Sequence, residues 1–131
     1  MARRKILFCD NSLRELLNFR KEIICHYASN GYNVVLVAPQ NMDIYQWELP
    51  NIRFVPIIMN RSGTNPIEDL KYFFRLKRIY AKEKPDYIFH YTIKPNIYGT
   101  FAARSCGIRS SAMIAGLGYV FSRKNIPNWM M

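Results

Sequence analysis

Five consecutive apolar residues, Val34-Val35-Leu36-Val37-Ala38, closed by Pro39, constrain this chain more than any other feature. A strand with one wet face alternates apolar and polar residues, so an unbroken apolar run is a strand that needs cover on both faces. Lys5-Ile6-Leu7-Phe8-Cys9 is a second compact run of this kind. Between the two, Leu13, Leu16, Leu17, Ile23, Ile24, Tyr27 and Ala28 recur at helical spacing. Ser12-Leu13-Arg14-Glu15 has the form of a capping box at the start of that helix, and Asn30-Gly31 ends it. Strand, helix and strand joined by short connections predict a parallel pair with a helix laid across it.

The same alternation continues. Residues 52–59 predict a third strand, which Pro56 pushes toward a sheet edge, and no helix separates it from the second. After the polar loop from Asn60 to Asn65, Pro66 opens a second helix that runs to about Lys84, where Pro85 blocks it. Asp86 to Tyr91 reads as a fourth strand, Pro95 to Cys106 as a third helix and Ser111 to Ala115 as a fifth strand. Beyond Gly118 the text is loop-like until Ile126-Pro127-Asn128-Trp129, which reads as the start of another helix. The sum is an α/β chain with a Rossmann-like, doubly wound, mostly parallel sheet. At 131 residues this is one domain. Its end at Met130-Met131, where a helix is beginning, reads as the end of a fragment or an excised domain.

Charge narrows the partners. Nineteen Lys and Arg against nine Asp and Glu give +10, which favours phosphorylated substrates, an acidic membrane surface or nucleic acid. Nucleic acid is disfavoured, because the aromatic residues fall mainly on core-facing stripes rather than on one sheet face among Arg and Lys. No stretch approaches the roughly 20 apolar residues of a membrane span. The apolar run after Arg3-Arg4-Lys5 is too short for a signal-peptide core. Cys9, Cys25 and Cys106 contain no C-x-x-C, so neither a disulfide framework nor a metal site is implied, and a cytoplasmic setting is expected.

Ligands of open parallel sheets bind at the carboxyl ends of the strands. Asn11 and Ser12 follow the first strand, Thr92 and Lys94 the fourth, and Gly116, Gly118 and Tyr119 the fifth. Lys94 beside a helix that begins at Pro95 makes an anion site, or else a solvated loop lysine. Arg20 interrupts the apolar stripe of the first helix, so it either snorkels or reaches into the crevice to bind a phosphate. His90, at the end of the fourth strand, is a candidate contact in the crevice, whereas His26 reads as a helix-surface residue. Gly116-Leu117-Gly118 does not continue into a dinucleotide fingerprint, and the first turn has no glycine, so no nicotinamide or flavin cofactor is expected. On the second helix Lys71, Arg75, Arg78 and Lys82 line one face, either as a solvated charge row or as a face for anionic lipid.

Pro85 to Gly99, with Thr92-Ile93-Lys94 inside it, resembles the PD…T-x-K-x-x-hydrophobic-x-G stretch of family 4 bacterial glycosyltransferases. Ala115-Gly116-Leu117-Gly118-Tyr119-Val120-Phe121 resembles the TGLGYVF loop of the branch that builds lipid-linked oligosaccharides and capsules. Leu17-Asn18-Phe19-Arg20 and Gly31-Tyr32-Asn33-Val34 are similar to that family too. The resemblance implies the N-terminal, acceptor-binding half of a GT-B fold, with residues 1–131 as that domain and the donor-binding domain absent. It implies a retaining hexosyltransferase, acting on a polyprenyl-diphosphate-linked sugar at the inner face of the plasma membrane. The nucleotide sugar would be held by the missing domain, and this half would be inactive by itself. Transferred by motif, Arg20, Thr92, Lys94, Gly116 and Gly118 line the acceptor side. Two departures stand out: the first loop, Asp10-Asn11-Ser12, lacks the family's glycines, and Tyr91 stands where many relatives have histidine. No catalytic base is assigned. The alternatives are half of a GT-B-like nucleotide-sugar epimerase, or a non-catalytic partner subunit of a split glycosyltransferase. An isolated half would expose apolar cleft surface, which invites homodimer formation.

Overall fold

A computed structural model describes residues 4–40, 49–59 and 65–113. Five strands, β1 (Lys5–Cys9), β2 (Asn33–Ala38), β3 (Ile52–Pro56), β4 (Tyr87–Tyr91) and β5 (Ser110–Met113), form one sheet in the order β3-β2-β1-β4-β5. All four pairings are parallel. The chain fills the sheet outward from β1 to β3, then returns to the other side of β1 with β4. The order therefore reverses between β1 and β4. β3 lies at the edge, where Pro56 and its missing N–H do no harm.

Period-two alternation divides each strand between two helical layers. Leu7 and Cys9, Val35 and Val37, and Ile88 face α3 (Pro66–Glu83) and α4 (Thr100–Ser105), packing on Tyr72, Leu76, Tyr80, Ala102 and Ala103. Ile6 and Phe8, Val34, Leu36 and Ala38, and Tyr91 face α1 (Leu13–Phe19) and α2 (Lys21–Ser29) through Leu16, Ile24 and Ala28. α3 is bounded as the sequence predicts. Asn65 caps it by accepting from the Ile67 amide at 2.9 Å, Pro66 sits in the first turn, and Lys84 ends it in the left-handed conformation.

Two helices depart from expectation. The first is not continuous: Arg20, at φ −121° and ψ 3°, separates α1 from α2. Its amide still bonds Leu16 O, so the chain turns without losing that hydrogen bond. The third does not start at Pro95. Ile93 and Lys94 are already helical, and Pro95–Gly99 forms a π-helical turn leading into α4. Gly99 explains what that turn accommodates: a Cβ there would overlap the His90 imidazole, with Cγ 3.2 Å away and Cδ2 and Nε2 nearer still.

Candidate functional site

At the reversal point the C-terminal ends of β1 and β4 lie side by side, pairing Cys9 with His90. Asp10 follows β1 directly and is 1% exposed. Its Oδ1 accepts from the Asn11 amide at 2.6 Å and lies 3.5 Å from Thr92 Oγ1. Burial pushes the Asp10 carboxyl up to about 6, against the lowering influence of the Asn11 hydrogen bond and of Arg20. Thr92 holds φ at 70°, a left-handed conformation that is costly for a β-branched residue.

Arg20 is placed by aromatic packing. Phe8 stacks on Phe89 with centroids 5.2 Å apart, and Tyr91 lies parallel to Phe8 at 6.3 Å. Over the Tyr91 ring stands the Arg20 guanidinium, 4.1 Å from the centroid, a cation–π contact that fixes the side chain at the crevice. Its Nε is buried without a hydrogen-bond partner, as is Asn11 Oδ1. Phe19, Arg20, Glu22, Ile23, His26, Tyr91 and Met113 line an open depression of about 570 Å³ beside them. The break at Arg20 is what lets α1 and α2 present this side chain over β4.

Other candidates are placed differently. Ser12 caps α1, accepting from the Glu15 amide at 3.0 Å, and is 1% exposed. Lys94 ion-pairs with Asp69 Oδ1 at 2.7 Å, and Tyr98 donates to Asp69 Oδ2 at 3.2 Å. Its charge is thus balanced by α3 rather than offered alone. His90 does not line the crevice. It points to the opposite layer, fully buried, where Nε2 and Tyr80 OH are 2.8 Å apart. Alternation along β4 is the reason: Tyr91 faces α2, so His90 must face α3. Burial lowers the His90 pKa to about 4, so the ring is neutral at physiological pH. Gly116, Gly118 and Tyr119 lie outside the described residues.

Two residues of the site were assigned no role from sequence. Asp10 carried a signal in principle, as an ionisable group ending a fully apolar strand. Tyr91 stands by position at the carboxyl end of the fourth strand and departs from the family motif; its use as a platform for Arg20 depends on a residue 71 positions away. On α3, Lys71, Arg78 and Lys82 are exposed, and Arg75 donates to Ile58 O at 3.0 Å. Lys71 also meets Glu68 at 3.6 Å. Among the described residues no helix is long and apolar enough to cross a membrane, and no group of His, Cys, Asp and Glu could hold a metal ion.

Residues 5–131 match the family model described as glycosyl transferase 4-like. The chain belongs to that family. No curated protein matches it. Among solved structures it is similar to MurG of Acinetobacter baumannii, with a TM-score of 0.66 and 17% identity over 85% of this chain and 35% of that one. The lipopolysaccharide outer core galactosyltransferase WaaB gives a TM-score of 0.62 and 13% identity over 84% of this chain and 32% of WaaB. A Listeria monocytogenes protein described as a UDP-N-acetylglucosamine 2-epimerase gives 0.63 and 15% over 89% of this chain and 32% of that one. At these identities the likeness is one of fold, and the fold is one Rossmann-like half of a GT-B architecture. The glycosyl transferase 4-like chain spans about a third of the length of these structures.

Proposed function

We propose that this chain is the N-terminal, acceptor-binding half of a glycosyltransferase that works on a membrane surface. The crevice at the ends of β1 and β4 takes an acceptor with an anionic linkage, a polyprenyl-diphosphate-linked sugar or a similar cell-surface glycan precursor. A second domain brings the nucleotide sugar, and hexosyl transfer proceeds with retention. Arg20 supplies the cation at the crevice.

One observation carries the membrane reading. Ile67, Leu70 and Phe74, 64%, 54% and 55% exposed, share a side of α3 with the row Lys71, Arg75, Arg78 and Lys82. An exposed apolar strip beside a cationic one is the pattern of a helix lying in a lipid interface. Ile93, Ile97 and Phe101, on the helical segment that packs against α3, are also exposed. Such a face suits peripheral attachment to the anionic inner leaflet of the plasma membrane.

Sedimentation with liposomes tests the proposal. Binding should require anionic lipid and weaken with salt. At about 1 kcal/mol per basic residue near the surface, neutralising all four cations should lower the partition coefficient by roughly three orders of magnitude. Replacing Leu70 and Phe74 by Ser should weaken binding even where the charges remain. Lipid-indifferent behaviour under every condition would sink the membrane reading and favour a soluble epimerase-like half, a reading also compatible with the Listeria fold.

A further inference from the structure

The hydrogen bonds at Asp10 converge on one oxygen. The Asn11 amide donates to Oδ1, and the Thr92 hydroxyl divides itself between the same oxygen and the Tyr91 carbonyl. Among the described residues no donor reaches Oδ2, so a proton added to this carboxyl goes there. Around it stand Cys9 of β1, Glu15 of α1, Arg20 at the α1–α2 joint, Tyr91 and Thr92 of β4, and Tyr72 of α3. Arg20 is the opposite charge and Glu15 the like one. Yet Asp10 and Arg20 close no ion pair within 4 Å, because the guanidinium is held over the Tyr91 ring.

An anion approaching Arg20 therefore meets an ionised carboxylate that offsets the attraction. A proton on Oδ2 removes that charge and converts a repelling acceptor into a hydrogen-bond donor. We propose that Asp10 and Arg20 form a proton-coupled anion site, in which a phosphate- or sulfate-class group binds Arg20 together with one proton taken from solvent onto Asp10 Oδ2. The proposal rests on the crevice being the acceptor site and adds to it a stoichiometric proton. By reciprocity, the bound anion must raise the proton affinity of Asp10 by the factor by which the proton tightens the anion.

The test uses inorganic sulfate, which does not titrate between pH 5 and 7.5, at constant ionic strength. With the Asp10 midpoint at about 6, sulfate affinity should fall about thirty-fold from pH 5 to pH 7.5. Carboxyl NMR of the unmodified protein should show the Asp10 midpoint rising as sulfate is added. Asp10→Asn should bind at pH 7.5 nearly as tightly as the unmodified protein does at pH 5, and Arg20→Gln should lose binding at both. Inorganic pyrophosphate and a short prenyl diphosphate, each compared with Asp10→Asn, separate the sources of the anion. A prenyl gain in affinity with an unchanged proton linkage marks a lipid-borne group, and equal affinities mark a free one. Binding lost in Arg20→Gln but independent of pH overturns the coupling and leaves the crevice reading standing. Binding indifferent to Arg20→Gln overturns both.

Discussion

Replacing Asp10 by Asn should stabilise the protein at neutral pH and leave it unchanged in acid. The carboxyl is 1% exposed and has been carried from its ordinary 3.8 to about 6. Keeping it ionised at pH 7.5 costs the folded state about 3 kcal/mol, at 1.36 kcal/mol for each pH unit. Asn keeps the oxygen that accepts from the Asn11 amide and removes the charge. Its new amide at the Oδ2 position needs an acceptor, so the net gain is about 1–3 kcal/mol. The sign follows from linkage. The folded protein binds the Asp10 proton more tightly than the unfolded chain, so the Asp10 contribution to stability falls as pH rises between about 4 and 6.

His90 works in the opposite direction. Its folded value is about 4 against an ordinary 6.5, so the folded state holds fewer protons there, and stability falls as pH drops through that interval. In the unmodified protein the two slopes largely offset each other between pH 4.5 and 6. Asp10→Asn should unmask the His90 slope, a loss of about 3 kcal/mol between pH 6.5 and 4. Urea unfolding of both proteins at half-unit steps from pH 4 to 8 measures the difference. A difference that stays flat with pH, or a variant less stable at pH 7.5, would refute the assignment of that cost to the Asp10 charge.

Gly99→Ala should destabilise by about 2–4 kcal/mol despite the better helix former, since the methyl displaces the His90 ring and breaks its bond to Tyr80; denaturant midpoints of Gly99→Ala, His90→Ala and the pair should show strong coupling. Thr92→Gly should gain about 1 kcal/mol by relaxing φ 70°, and a loss larger than that would mean that the hydroxyl near Asp10 outweighs the strain. Glu83→Gln should weaken the protein at pH 7 and matter progressively less as pH falls below the usual carboxylate range. Burial opposes ionisation of Glu83, but Arg53 and Lys5 hold its pKa below the usual carboxylate range, and the stability they confer disappears as pH falls through it.

The sheet was legible because its information is local. Unbroken apolar runs at β1 and β2 and the stops at Gly31, Pro39 and Pro85 each act within a few residues. So do the Asn65 cap and Pro66, and all of these fall where the chain's own chemistry puts them. The site was legible only as a place. Which residues meet there depends on contacts between positions tens of residues apart, and periodicity carries no such information. His90 shows the limit: one step along a strand reverses the face, so a residue at the right end of the right strand still points into the core. Lys94 shows another, because its neutralising partner, Asp69, belongs to an earlier helix and read there as an N-terminal dipole residue. Arg20 was conspicuous as a charge within an apolar stripe. The helix break that frees it has no Gly or Pro to announce it.

The two faces of the sheet handle polar groups in different ways, and the difference argues for where function lies. In the α3–α4 layer, Cys9, Tyr72, Tyr80 and His90 are all buried; Cys9 Sγ meets Tyr72 OH at 3.6 Å and Tyr80 OH meets His90 Nε2 at 2.8 Å, while His90 Nδ1 has no partner within hydrogen-bond geometry. Burial holds Cys9 protonated, pushing it up to about 11, and keeps His90 neutral, so these four side chains carry no charge. At the ends of β1 and β4 the pattern is reversed. A carboxyl is buried without a full partner, a threonine holds an unfavourable backbone angle, and a guanidinium keeps Nε unpaired above a tyrosine. Each costs a kcal/mol or more. Packing alone would have removed them, since Asn at position 10 and Gly at position 92 cost less. Three local costs retained within one crevice support the proposed anion-binding site, whose ligand would complete them.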